Sequence, residues 1–152
     1  MSWTMWHTVG IGIALDEVKT DDFVSFCKNT KHKKAFEKYL ASYKDGGKGV
    51  LSALDEMVKE DSIDPMLEVT DMGTLSEVIA GIMRIETDID FYAPGLTDDG
   101  EDVVMFSEKY PWHMTEKERH LDLNKLLEIM RPYAEELKVP NSLGDYDLIY
   151  SG

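Results

Sequence analysis

Residues 3–15, WTMWHTVGIGIAL, mix aromatic and β-branched side chains with two glycines and contain no Asp, Glu, Lys or Arg. A run of that kind reads as a strand, and its lack of charge suits a central position with neighbours on both sides, not an exposed edge. Gly10 and Gly12 inside it mark a bulge or a close approach of another backbone. At the other end of the chain, residues 145–150, DYDLIY, alternate polar and apolar and run into Ser151-Gly152, the pattern of a closing strand. A strand at each end restricts what lies between them to elements that can pack onto one sheet.

Those elements are mostly helical. Thr20-Asp21-Asp22 supplies an N-cap and first-turn acids, followed by Phe23, Phe26 and Cys27 at helical spacing. Residues 31–43 place Phe36, Tyr39, Leu40 and Tyr43 on one stripe among lysines, and Asp45-Gly46-Gly47 stops the run. Val50, Leu51, Leu54, Met57 and Val58 form the next stripe, making three short helices or one helix with two breaks. After a connection containing Pro65, Thr74 with Glu77 forms a capping box for a helix whose apolar face is Leu75, Val78, Ile79, Ile82 and Met83. Residues 88–93 and 102–106 read as a β-hairpin with an acidic tip at Asp98-Asp99-Gly100. Residues 122–138 carry Leu123, Leu126, Leu127, Met130, Tyr133 and Leu137 on an amphipathic helix that must accommodate Pro132.

The order β-ααα-α-β-β-α-β predicts an α+β fold, a mostly antiparallel sheet of about four strands with helices packed on one face. A length of 152 residues with 43% hydrophobic content matches one domain spanning 1–152, able to fold without a metal or disulfide. Cys27 is the single cysteine, which excludes an internal disulfide and a Cys-rich zinc site. Residues 1–7 lack a basic region followed by an apolar one, and no apolar run reaches membrane-span length, so the expectation is a soluble cytoplasmic protein without membrane contact.

The charge is unevenly placed. Between Gly49 and Glu108 stand 16 acids against Lys59 and Arg84, a net charge of -14 that equals that of the whole chain. Residues 19–48 hold eight lysines against four acids. A field confined in this way steers encounters with oppositely charged partners and repels phosphate backbones, which favours a basic protein over direct contact with nucleic acid.

Motifs for chemistry are sparse. His113, Glu116 and His120 have i, i+3, i+7 spacing, which a helix would place on one face, and they are the nearest approach to a zinc set, with His7 a further candidate ligand. Thr115 and Glu118 also resemble a capping box, which puts His113 outside such a helix. Around Asp98-Asp99-Gly100 the positions that an EF-hand fills with oxygen ligands hold Gly95, Thr97, Asp99 and Phe106, so no calcium loop is expected. Gly10-Ile11-Gly12 is followed by Asp16 and Glu17, and Gly46-Gly47-Lys48-Gly49 lacks the strand approach and the Lys-Ser/Thr ending of a phosphate loop. Cys27 lies on an apolar stripe with Phe23 and Phe26, with His32 off that face, which argues against a Cys/His catalytic pair. Lys28, Lys31, Lys33, Lys34 and Lys38 could touch phosphates beside Phe36 and Tyr39, but the periodicity assigns those aromatics to the core. No enzyme activity and no cofactor are expected.

Residues 103–121, VVMFSEKYPWHMTEKERHL, together with the opening SWTMWHTVGIGI and the closing DYDLIYSG, resemble small uncharacterised acidic proteins of Firmicutes prophages and mobile elements. The resemblance implies a phage-borne accessory protein, and by class analogy an anti-CRISPR-like inhibitor of a host defence protein. The expected partner is a basic nucleic-acid-binding protein such as a CRISPR effector or another defence nuclease. Asp55, Glu56, Glu60, Asp61, Asp64, Asp88, Asp90, Asp98, Asp99, Glu101 and Asp102 are the expected contact residues, standing in for phosphates in its channel. The alternatives are a phage structural or accessory protein without inhibitory role, and a small metal-dependent protein using His113, Glu116 and His120.

Overall fold

The computed structural model describes residues 5–41, 75–94, 102–107, 114 and 116–151. Within them the chain runs β1 (Met5–Ala14), α1 (Thr20–Lys28), α2 (Thr30–Ala41), α3 (Leu75–Thr87), β2 (Val103–Ser107), α4 (Glu116–Arg119), α5 (Leu123–Glu136), a 3-10 turn (Pro140–Ser142) and β3 (Leu143–Ser151). The expected helix over residues 50–58, Pro65, Thr74 of the capping box and the acidic hairpin tip lie outside the described residues.

The uncharged opening strand is central: the sheet has the order β2-β1-β3, antiparallel throughout, with Ile13 opposite Val104 on one side and Leu143 on the other. The fold is therefore α+β as expected, with three strands among the described residues in place of about four. The fourth, expected over residues 88–93, contracts to one antiparallel bridge in which Tyr92 and Met105 exchange backbone hydrogen bonds of 2.9 Å. The reason is local: the Phe91 amide donates to the Ile89 carbonyl (2.8 Å), so the chain is folded into a tight turn at Asp90 and is not extended.

Alternation along β1 divides the sheet into two unlike faces. Ile11 and Ile13, with Val104 and Phe106 opposite them, join the main core with Phe23 and Phe26 of α1, Phe36 and Tyr39 of α2, Val78, Ile79, Ile82 and Met83 of α3, and Met130 and Ala134 of α5. Gly10, Gly12 and Ala14 point to the other face, where Met105 and Tyr146 lie across them beside Val103 and Tyr92. The glycines are there for closeness. A Cβ on Gly12 would stand 2.8 Å from the Val104 carbonyl oxygen, and one on Gly10 would run into the Phe106 carbonyl oxygen.

The ends of the helices show where local sequence acts. Thr20 is the first helical residue of α1 and is buried, and the N-cap falls to Lys19, which makes no side-chain cap, so the expected Thr20 cap is corrected. Asn29 breaks α1 from α2 in an extended conformation, and its side chain accepts the Lys31 amide at 3.0 Å. Asp122 caps α5 by accepting the Lys125 amide at 2.8 Å. Pro132 sits inside α5 on its exposed side, where water can replace the missing amide, and the helix continues to Glu136. No helix among the described residues is long and apolar enough to cross a membrane.

Candidate functional site

Extending the α2 stripe one turn back from Phe36 reaches His32, and the helix buries it with Ala35, Phe36, Tyr39 and Leu40. The single-residue break at Asn29 turns α2 so that the last turn of α1 covers this side chain. Phe26 stacks on the imidazole with ring centres 4.2 Å apart, and Tyr133 of α5 lies alongside at 5.7 Å.

Both ring nitrogens meet carboxylates from different helices. His32 Nδ1 lies 2.9 Å from each carboxylate oxygen of Glu86, on the last turn of α3. His32 Nε2 is in contact with Glu136 Oε2, at the end of α5. The Tyr133 hydroxyl donates to Glu86 Oε1 at 2.8 Å, and the Lys31 ammonium donates to Glu136 Oε1 at 3.0 Å. The imidazole is 0% exposed, whereas Glu86 and Glu136 are 17% and 25% exposed and form the rim of the cluster. Only the doubly protonated ring can donate from both nitrogens, so the imidazolium between two carboxylates satisfies every contact at once.

Charge states follow from the surroundings. Partial burial acts to raise the Glu136 pKa, but hydrogen bonds from His32 and Lys31, with their charges, outweigh it and hold the carboxyl below the ordinary glutamate value. Burial, then the hydrogen bond to Glu86, then the negative charges of Glu86 and Glu136 push the Tyr133 hydroxyl upward, so it stays a neutral donor. Because the Glu136 pKa is lower folded than unfolded, its contribution to stability is present above the unfolded value, near 4.5, and is lost as pH falls through the folded value. Urea melts between pH 6 and 3 are expected to show wild-type stability falling along this limb, with a shallower fall in Glu136→Gln. An equal slope in the two proteins would exclude the assignment.

The arrangement ties helices together and leaves no ring nitrogen for a substrate. It is also unsuited to a metal, because the two carboxylates approach opposite edges of one ring and do not converge on a point. Among the described residues no group of three His, Cys, Asp or Glu side chains could hold a metal ion. Glu116 and His120 of the zinc alternative are both exposed, at α4 and the turn after it, while His113 lies outside the described residues and the side chain of His7 is not described. Cys27 is buried and burial pushes its thiol upward, which makes it a core side chain and not a nucleophile.

Of the expected contact residues, Asp55, Glu56, Glu60, Asp61, Asp64, Asp98, Asp99 and Glu101 lie outside the described residues. Asp88 and Asp90 are exposed and close together just past α3. Asp88 adopts a left-handed φ of 59°, its amide donating to the Arg84 carbonyl at 2.9 Å, and the Asp90 amide donates to the buried Glu118 at 3.0 Å. Bases interleave with them: Arg84 donates to the Phe91 carbonyl and Lys117 to the Thr87 carbonyl at the end of α3. Asp102 lies elsewhere, at the start of β2, where its amide donates to Asp16 at 3.1 Å beside the exposed Glu17. It is three residues, about 10 Å, from Met105 of the Tyr92 to Met105 bridge, a separation beyond the Debye length of about 8 Å.

The histidine cluster was missed in the sequence, although its signal is present: His32 and Glu86 are polar residues in register with apolar stripes, at i−4 from Phe36 and i+3 from Met83. Comparison with family models, with curated proteins and with solved structures finds no match for the chain.

Proposed function

We propose that the chain is an acidic protein-binding module that occupies the basic channel of a nucleic-acid-binding protein, its carboxylates standing in for phosphates. The resemblance to prophage proteins makes a bacterial defence nuclease the target class and inhibition the outcome. The supporting observation is the confinement of a net charge of -14 to residues 49–108 while residues 19–48 are net positive. Asp88 and Asp90, exposed on the surface past α3, are the described part of that region best placed to meet a partner.

The test is retention of bacterial lysate proteins on the immobilised chain, with elution by rising salt and then by competitor DNA or RNA. A basic nuclease is expected to come off with either, and its binding constant to fall about tenfold or more between 50 and 200 mM salt, as for partners that exchange counterions. Asp88→Lys with Asp90→Lys is expected to weaken the complex further. Binding that ignores both salt and competitor, or retention of no basic protein, would refute the proposal.

A further inference from the structure

The His32 cluster draws α2 against two other helices through one ring, and its two contacts demand different things of the two ring nitrogens when a proton is removed. We propose that His32, Glu86 and Glu136 form a proton-dependent clasp that holds α2 against α3 and α5 while the imidazole is doubly protonated and releases it when one ring proton is lost. With both protons present, Nδ1 donates to Glu86 and Nε2 to Glu136. Loss of either proton turns a nitrogen lone pair toward a carboxylate in a position that is 0% exposed, so a buried attraction becomes a repulsion that water cannot relieve without α2 moving.

The groups facing the ring are few. α3 supplies Glu86, and α5 supplies Glu136 and the neutral hydroxyl of Tyr133. From α1 comes Phe26, whose stacked ring closes one side; the buried thiol of Cys27 is held neutral, and Lys28 is on the exposed side. Lys31, on α2 itself, bridges to the free oxygen of Glu136 and is 62% exposed. Both carboxylates are therefore set against a single cation that is fully buried, and the exposed lysine adds a further positive charge at Glu136. Release of α2 would also reposition the exposed Lys33, Lys34 and Lys38 that it carries.

Two measurements on the full chain test this. Hydrogen exchange of the α2 amides, corrected for the intrinsic effect of pH, is expected to lose protection by about 10- to 100-fold as pH rises and the clasp opens, the range expected for loss of one charge-assisted hydrogen bond. In His32→Gln the corrected protection should be lower than the highest wild-type value and flat with pH. The second readout needs no variant: nitrogen chemical shifts of the His32 ring in the wild type should show two protonated nitrogens while α2 is protected and the loss of one in step with the loss of α2 protection. A ring that is a neutral tautomer while α2 is protected, or that loses its proton while α2 protection stays unchanged, would overturn the proposal.

Discussion

Glu86→Ala is expected to lower the stability of the fold by about 3 to 5 kcal/mol, the range for removing one partner from a buried charged pair. The substitution leaves His32 Nδ1 without an acceptor in a position closed to water, and it also strips the Tyr133 hydroxyl of the oxygen to which it donates. For a domain of this length the loss corresponds to a drop in Tm of roughly 6–20 °C by calorimetry. The 17% exposure of Glu86 lets some water reach the vacated rim, so the lower half of the range is the firmer figure. Removing the network as a whole is a different experiment. A triple variant, His32→Leu with Glu86→Leu and Glu136→Gln, leaves no buried charge unpaired and is expected to recover most of the loss. If Glu86→Ala melts within 2 °C of the wild type, roughly what 0.5 to 1 kcal/mol produces, the cluster does not hold these helices.

The second large effect belongs to the sheet. Gly10→Ala with Gly12→Ala is expected to cost about 2 to 6 kcal/mol, taking 1 to 3 kcal/mol for each overpacked position. The obstacle is chiefly main chain: the Val104 and Phe106 carbonyl oxygens of β2 stand where the new methyl groups would go, and the Met105 side chain lies within 3.0 Å of both. Side chains can rotate aside, but a carbonyl in a ladder moves only with its strand. Gly144→Ala is the control, since nothing lies within 4 Å of a Cβ there, and it should change stability by less than about 1 kcal/mol. A double alanine variant as stable as that control would mean that β1 and β2 are not so closely paired.

The sheet was readable because its signals are local. An uncharged run of β-branched and aromatic residues gave β1 its central place, and its two glycines marked the close approach that β2 makes. The stripe of Leu75, Val78, Ile79, Ile82 and Met83 described the buried face of α3 for the same reason. The strand expected over residues 88–93 shrank to one bridge because the turn at Asp90 depends on Thr87, whose hydroxyl accepts the Ile89 amide at 3.2 Å, and on the contact of the Asp90 amide with Glu118. The clasp was hidden because its members are far apart in the chain: Glu86 is 54 residues from His32 and Glu136 is 104. Periodicity marks each as a polar residue beside an apolar stripe, but which polar residues meet is decided by how three helices cross. Charge was legible as an amount per segment and not as a surface: the Asp102 amide meets Asp16 in the connection after β1, whereas the Asp90 amide meets Glu118 of α4.

The pairing of β1 with β3 joins residues on the order of 130–145 positions apart, whereas β2 reaches β1 after a loop of about 90 residues. During synthesis the central strand is therefore made first and completed last. Until β3 leaves the ribosome, one side of an uncharged ten-residue strand has unpaired amides and carbonyls, the state in which a β edge recruits another chain. A chain truncated before residue 143 lacks β3 and leaves that side of β1 open, so its expected hazard is aggregation before it is loss of activity.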